Sequence, residues 1–149
     1  LKNISRRGKN EIRTSRVADK NVDTVARLQH LIHHLPMDAP ITEEERGRVL
    51  ACSVSFCLEA DGKIVAVAMS NGLAIHSFQI LGVATDPAYQ GRGYAKALCS
   101  HLIQFMQKKG AQEAIIFTDK ENIAARKCYL ALGFVITDRY YVGYFEPAS

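Results

Sequence analysis

Tryptophan is absent from the 149 residues, and proline is held to four and glycine to ten. That excludes proline- or glycine-rich low-complexity architectures. The four cysteines, Cys52, Cys57, Cys99 and Cys128, form no C-x-x-C pair and have no histidine at ligand spacing. A zinc site and a disulfide scaffold are therefore not expected, and four reduced thiols in a cytoplasmic setting are. No apolar run approaches the ~18 residues that a membrane-spanning helix needs, so no membrane partner is expected. Nor does Leu1-Lys2-Asn3-Ile4 resemble the start of a secretory signal. What is present is 48% hydrophobic and 23% charged residues, the balance of one soluble globular domain.

The formal charge of +4 is unevenly placed. Residues 1–20 hold seven basic side chains (Lys2, Arg6, Arg7, Lys9, Arg13, Arg16, Lys20) against Glu11 and Asp19, and the remainder sums to −1. Residues 1–10 read as a basic arm or linker and 11–149 as the folded domain. Such an arm is more often a solvated terminus than a nucleic-acid contact, and no nucleic-acid partner is expected.

Along the chain, Glu11–Val17 alternates weakly as a first strand. Val22, Val25, Leu28, Ile32 and Leu35 then have helical spacing up to Pro36. Thr42-Glu-Glu-Glu45 matches a capping box and predicts a second helix to about Ala51. The period changes to two at Val54, Phe56 and Leu58. Asp61-Gly62 turns the chain into a strand over 63–70, and Asn71-Gly72 turns it again into a strand over 73–85. Tyr94, Leu98, Leu102 and Phe105 form a helical stripe that Gly110 stops. Ala114–Phe117 reads as a strand, 122–132 as a helix, and 134–136 with 140–145 as strand material. The expected fold is α/β: one mixed, mostly antiparallel sheet with helices on both faces, including a right-handed crossover between parallel strands.

The segment Asp86-Pro-Ala-Tyr-Gln-Gly-Arg-Gly-Tyr-Ala95 ends a strand, passes two glycines and opens a long helix. It leaves backbone N–H groups at the positive end of a helix dipole, where phosphate binds. Arg92 and Lys96 add charge that phosphate oxygens can use. A Rossmann fingerprint needs glycine or alanine where Lys96 stands, and the P-loop pattern is absent. Taken by itself the loop is equally a capping turn without a ligand.

A second constellation, Asn122-Ile-Ala-Ala-Arg-Lys-Cys-Tyr-Leu-Ala-Leu-Gly-Phe134, resembles the spacing N-x-x-A-x-x-x-Y-x-x-x-G-F of the GCN5-related N-acetyltransferases. The loop from Val83 to Ala95 looks like the same family's acyl-CoA loop, Q/R-x-x-G-x-G/A. The resemblance covers about 12–145, and the carboxy-terminal half is also similar to the FR47-like subgroup. It implies acetyl-CoA as co-substrate, and a bulged strand splayed from its neighbour to admit the pantetheine arm. The main chain of Val83 and Thr85 would meet that arm. Gln90, Gly91, Arg92, Gly93, Tyr94 and Ala95 would hold the pyrophosphate, and Asn122 would meet the arm from the crossing helix.

By the same resemblance Tyr129 would protonate the departing thiolate; a phenol near ~10 and a thiol near ~8.5 are matched closely enough for that transfer. Where some relatives place a basic glutamate, this chain has Gln79. For a lysine-like amine, deprotonation at pH 7 costs ~4.6 kcal/mol, and for an α-amino group near ~8 about 1.4 kcal/mol. Either the acceptor is a weakly basic amine, or a water relay through Gln79 with His76 or Glu59 removes the proton. Strict alternation puts His76 and Gln79 on opposite faces.

His30, His33 and His34 have i, i+3, i+4 spacing without a carboxylate or cysteine to complete a metal site, and read as a solvated helix end; no metal is expected. Tyr140, Tyr141, Tyr144 and Phe145 either line an acceptor pocket or pair across strands. The function implied is direct acetyl transfer from acetyl-CoA to a primary amine, on a small molecule, a protein N-terminus or a lysine. An acyl-CoA-binding regulatory domain is the alternative. The sequence leaves oligomeric state open, a homodimer included.

Overall fold

The computed structural model describes residues 4–7, 10–72, 74–118, 122–137 and 140–144. Its strands are β1 (Ile4–Arg7), β2 (Asn10–Arg16), β3 (Val54–Ala60), β4 (Lys63–Gly72), β5 (Ser77–Thr85), β6 (Glu113–Phe117), β7 (Val135–Thr137) and β8 (Tyr140–Tyr144). The helices are α1 (Val22–Gln29), α2 (Glu43–Leu50), α3 (Tyr94–Lys108) and α4 (Ile123–Ala131). The strands form one sheet ordered β1-β2-β3-β4-β5-β6-β8-β7. Among the described residues β5 and β6 are the parallel pair, joined through α3, and the other neighbours are antiparallel.

Helices cover both faces, each over its own apolar cluster. Phe56, Leu58, Phe78, Ile80 and Ile116 pack under Leu98 and Leu102 of α3 and Tyr129 of α4. Cys57, Val67, Met69 and Ala84 face the other way, against Val25 and Leu28 of α1 and Val49 of α2. β3 and β4 are thus buried on both sides, and their side chains do not alternate between core and solvent. That position explains an apolar run in β4 that a half-exposed strand would not carry.

Several local expectations shift. Ile4–Arg7, assigned to the basic arm, pairs with β2 at the sheet edge. The first helix ends at Gln29 instead of running to Pro36. There the chain doubles back: Leu35 N–H donates to the His30 carbonyl at 2.9 Å, and the His30 ring reaches the Pro36 carbonyl. His34 has left the right-handed region at φ +56°, and Leu35, the residue before Pro36, resists helix.

Asn71-Gly72 is not a turn. Asn71 pairs with Gln79 and Gly72 with Phe78, and β5 starts at Ser77, not at residue 73. Asp61-Gly62 does turn the chain, with φ of +54° and +79°, the mirror-image conformation that suits a two-residue hairpin. The Thr42 capping box forms: Glu45 N–H donates to Thr42 Oγ1 at 3.2 Å and Thr42 N–H to Glu45 Oε2 at 2.7 Å.

Candidate active site

The register between β4 and β5 breaks within one turn of the chain. Val67 opposes Ala84 and Met69 opposes Leu81, so Gly82 and Val83 together face one residue of β4. This is a β-bulge, and Gly82 makes it with φ of +62°. Gln29 of α1 fixes the bulge by donating from Nε2 to the Gly82 carbonyl at 2.8 Å.

Just before the bulge the two parallel strands part. β5–β6 pairing ends at Ile80 and Ile116, while β5 continues to Thr85. The edge of residues 81–85 that faces away from β4 therefore has no β6 partner, and a cleft of about 910 Å³ opens there. An extended arm carrying amides can hydrogen-bond to such an edge as a strand would.

At one end of the cleft lies the glycine loop. Asp86 Oδ1 caps a short 3-10 turn over Pro87–Tyr89 by accepting from Ala88 N–H at 2.9 Å, and Gln90 Nε2 donates to the Thr85 carbonyl at 3.1 Å. Gly91 and Gly93 have φ of +78° and +79°. Gly93 is the N-cap of α3 and supplies no side-chain acceptor. The first-turn N–H groups of Tyr94, Ala95 and Lys96 therefore point outward without an intrahelical partner. With no acidic residue in that turn, nothing competes with an anion for the helix dipole. These features fit the pyrophosphate end of acetyl-CoA.

Opposite the loop, α4 brings Asn122, Cys128 and Tyr129 to the cleft wall. Asn122 Oδ1 accepts from Ala125 N–H at 3.1 Å, so this side chain also caps the helix that carries Tyr129. Tyr129 is buried, with its ring centroid 6.0 Å from that of Phe134. Burial pushes the Cys128 thiol above its ordinary range, and the charge of Lys96 across the cleft partly opposes this.

The cleft thus gathers Val83, Thr85, Gln90, Gly91, Gly93, Tyr94, Ala95, Asn122 and Tyr129. Four expected residues stand outside its lining. The Arg92 guanidinium lies 4.8 Å from the centre of the Tyr89 ring. Gln79 sits in the paired part of β5, between Asn71 and Ile115, before the strands diverge. His76 precedes β5 altogether, its Nδ1 3.2 Å from the Gly110 carbonyl, at the end of the strand remote from the loop. Glu59 lies two strands away on β3, beside Arg13 and Ile64. The relay of Gln79 with His76 or Glu59 is not assembled.

His30 corrects another expectation. It is not solvated but 1% exposed, with Nδ1 3.0 Å from the Pro36 carbonyl and Nε2 2.9 Å from Glu45 Oε1. Among the described residues no cluster suited to a metal ion occurs. The side chains of Tyr140, Tyr141, Tyr144 and Phe145 lie outside the described residues. Sequence reasoning missed Leu31, Ile32 and His34 at the far mouth, and Ile116, Phe117 and Thr118 where β6 ends. The β6 residues follow from topology, since ligands gather at the carboxyl ends of parallel strands that diverge. The α1 turn had no such signal.

Comparison with known proteins agrees with this geometry. Residues 24–134 match the model of the acetyltransferase (GNAT) family. The [ribosomal protein bS18]-alanine N-acetyltransferase of Escherichia coli strain K12 is 32% identical over 81 residues, 54% of each chain. The chain spans about half the length of such curated relatives. The crystal structure of the ribosomal-protein-S18-alanine N-acetyltransferase from Escherichia coli superposes with a TM-score of 0.73 at 22% identity, covering 94% of this chain and 96% of that one. A GNAT family acetyltransferase from Elizabethkingia anophelis with acetyl-CoA bound gives 0.68 at 12% identity, covering 90% and 98%. With its bulged strand, its phosphate-ready loop and a family match over most of its length, the chain belongs to the acetyltransferase (GNAT) family.

Proposed function

We propose that the protein is an acetyl-CoA-dependent N-acetyltransferase that transfers the acetyl group directly to a primary amine in a ternary complex. The observation that carries this is the single cleft that joins the outward N–H groups of α3, the unpartnered edge of β5 and the Tyr129 side chain. Acetyl-CoA, when bound, supplies an acyl group activated as a thioester. The loop from Gln90 to Ala95 holds the pyrophosphate, Val83 and Thr85 pair with the arm through their main chain, and Asn122 orients it from α4. Tyr129 donates its phenolic proton to the sulfur as the carbon–sulfur bond breaks.

The acceptor class follows from what lines the cleft. Among the described lining residues there is no aspartate or glutamate. With no carboxylate among those described residues to take the proton, an α-amino group near ~8 is easier to deprotonate than a lysine near ~10.4 by ~3 kcal/mol. We therefore favour a protein or peptide N-terminus, the kind of acceptor named for the bS18-alanine relatives. The four unpaired cysteines favour a reducing cytoplasmic setting. Among the described residues no helix is long and apolar enough to cross a membrane.

Thermal unfolding with acetyl-CoA, CoA, ATP and NAD tests cofactor use. A ligand at 100-fold over Kd adds ~2.7 kcal/mol, several degrees for a domain of this size. Acetyl-CoA and CoA are expected to stabilise and NAD not to. Equal shifts with NAD, or none with acetyl-CoA, would contradict the assignment.

A further inference from the structure

The acceptor amine reaches the thioester as an ammonium ion and must lose a proton before it attacks. None of the residues first expected to take that proton lines the cleft. One imidazole does. His34 lines the mouth formed by Leu31, Ile32, Leu81 and Gly82, in the cavity that contains Tyr129. Resting on the N-acetyl transfer proposed above, we propose that His34 is the catalytic base that deprotonates the acceptor amine.

Three observations support this placement. His34 is exposed at the rim, so it meets an acceptor entering from solvent, whereas Tyr129 is buried on the opposite wall. Its backbone sits at φ +56°, a left-handed conformation that costs a non-glycine residue energy and persists only where the surroundings impose it. The turn that imposes it is anchored: the buried His30 ring lies against the Pro36 carbonyl and Glu45, and Leu35 N–H bonds the His30 carbonyl. An imidazole on a fixed support at a cleft mouth is suited to general-base work, because its unprotonated ring nitrogen can accept a proton from an amine.

The charged and titratable groups around it are few. Its own turn offers His30 and His33, Glu45 of α2 reaches that turn at His30, Arg27 of α1 donates to the Met37 carbonyl just beyond it, and the following loop offers Asp38. Across the cleft stand Tyr89 of the loop, Lys96 of α3, and Cys128 and Tyr129 of α4.

The protons balance. The ammonium begins with three and the amide keeps one. His34 takes one and releases it to solvent. The acceptor nitrogen bonds to the acetyl carbon, the carbon–sulfur bond breaks, and Tyr129 protonates the sulfur. The remaining nitrogen proton restores the phenol.

The test measures CoA release against pH with an alanine-starting peptide, for the wild type, His34→Gly and His34→Asn. Glycine relieves the left-handed backbone and asparagine tolerates it, so a purely structural role predicts no loss of rate. The base role predicts a 10²–10⁴-fold fall in kcat/KM for both variants. It also predicts that an acid limb in the wild-type pH–rate profile is lost in both variants. The thermal shift with acetyl-CoA should persist in both, and free imidazole should partly rescue His34→Gly. Variants that keep the wild-type rate and acid limb would overturn the base assignment alone. A wild type that is stabilised by acetyl-CoA but releases no CoA with any amine would overturn the transfer reading, and this role with it.

Discussion

Gly82→Ala probes the device that opens the cleft. An alanine at φ +62° costs about 1–2 kcal/mol in backbone conformation. The added methyl would overlap Met69 Cε and lie 2.7 Å from Gln29 Oε1. Both are ends of flexible side chains and can rotate away, but moving Gln29 gives up its 2.8 Å bond to the Gly82 carbonyl, worth ~0.5–1.5 kcal/mol. The total is about 2–3 kcal/mol. At roughly 2–4 °C per kcal/mol for a domain of this size, Tm should fall by about 5–10 °C. If the chain instead relaxes by straightening β5, the bulge is lost, the edge of 81–85 moves toward β6 and stabilisation by acetyl-CoA shrinks. Thermal unfolding with and without acetyl-CoA reads both effects. A Tm within about 1 °C of wild type together with an unchanged ligand shift would refute the bulge as the source of the cleft.

Gly91→Ala and Gly93→Ala meet no atom within 4 Å, so conformational strain of ~1–2 kcal/mol is the only direct cost; acetyl-CoA affinity should suffer more than stability, by calorimetric titration. Tyr129→Phe should keep acetyl-CoA binding and lose about 10²-fold or more in kcat, measured by CoA release. The Thr42 backbone N–H holds the Glu45 carboxyl below the usual glutamate range. Its stabilisation is therefore present above about pH 4.3 and lost as pH falls through the lowered value in the folded protein. Unfolding curves of wild type and Glu45→Gln should accordingly differ at neutral pH and converge in acid. Cys99 is buried and its thiol is held far above the normal range by desolvation, so alkylation should spare it, while acetyl-CoA should protect the cleft-lining Cys128. Peptide mapping by mass spectrometry reads both.

Local chemistry made much of this protein legible in its sequence. The Thr42 box, the Asp61-Gly62 turn and the stop at Gly110 act through residues adjacent in the chain, and each forms as expected. The phosphate-ready end of α3 and the Asn122–Phe134 spacing are likewise short-range patterns. Long-range partners decided the rest. Asn71-Gly72 favours a turn by itself, yet pairing with Gln79 and Phe78 keeps it in β4. His30 looks solvated by helical spacing, and only the return of the chain at Pro36 and the approach of α2 bury it. Gln79 and His76 fall outside the cleft lining for the same reason. Gln79 and His76 precede the point where β5 leaves β6, a point fixed by the bulge and by Gln29 from another element. His34 showed only its helical spacing from His30 and His33, and that spacing does not tell which cleft the α1 turn borders.

The most direct test of amine acetylation is to incubate the protein with acetyl-CoA and an alanine-starting peptide, following CoA release and peptide mass together. One acetyl group on the peptide α-amine for each CoA released is the predicted result. Cofactor binding without acetylation of that peptide, of a lysine peptide or of any simple amine would contradict it.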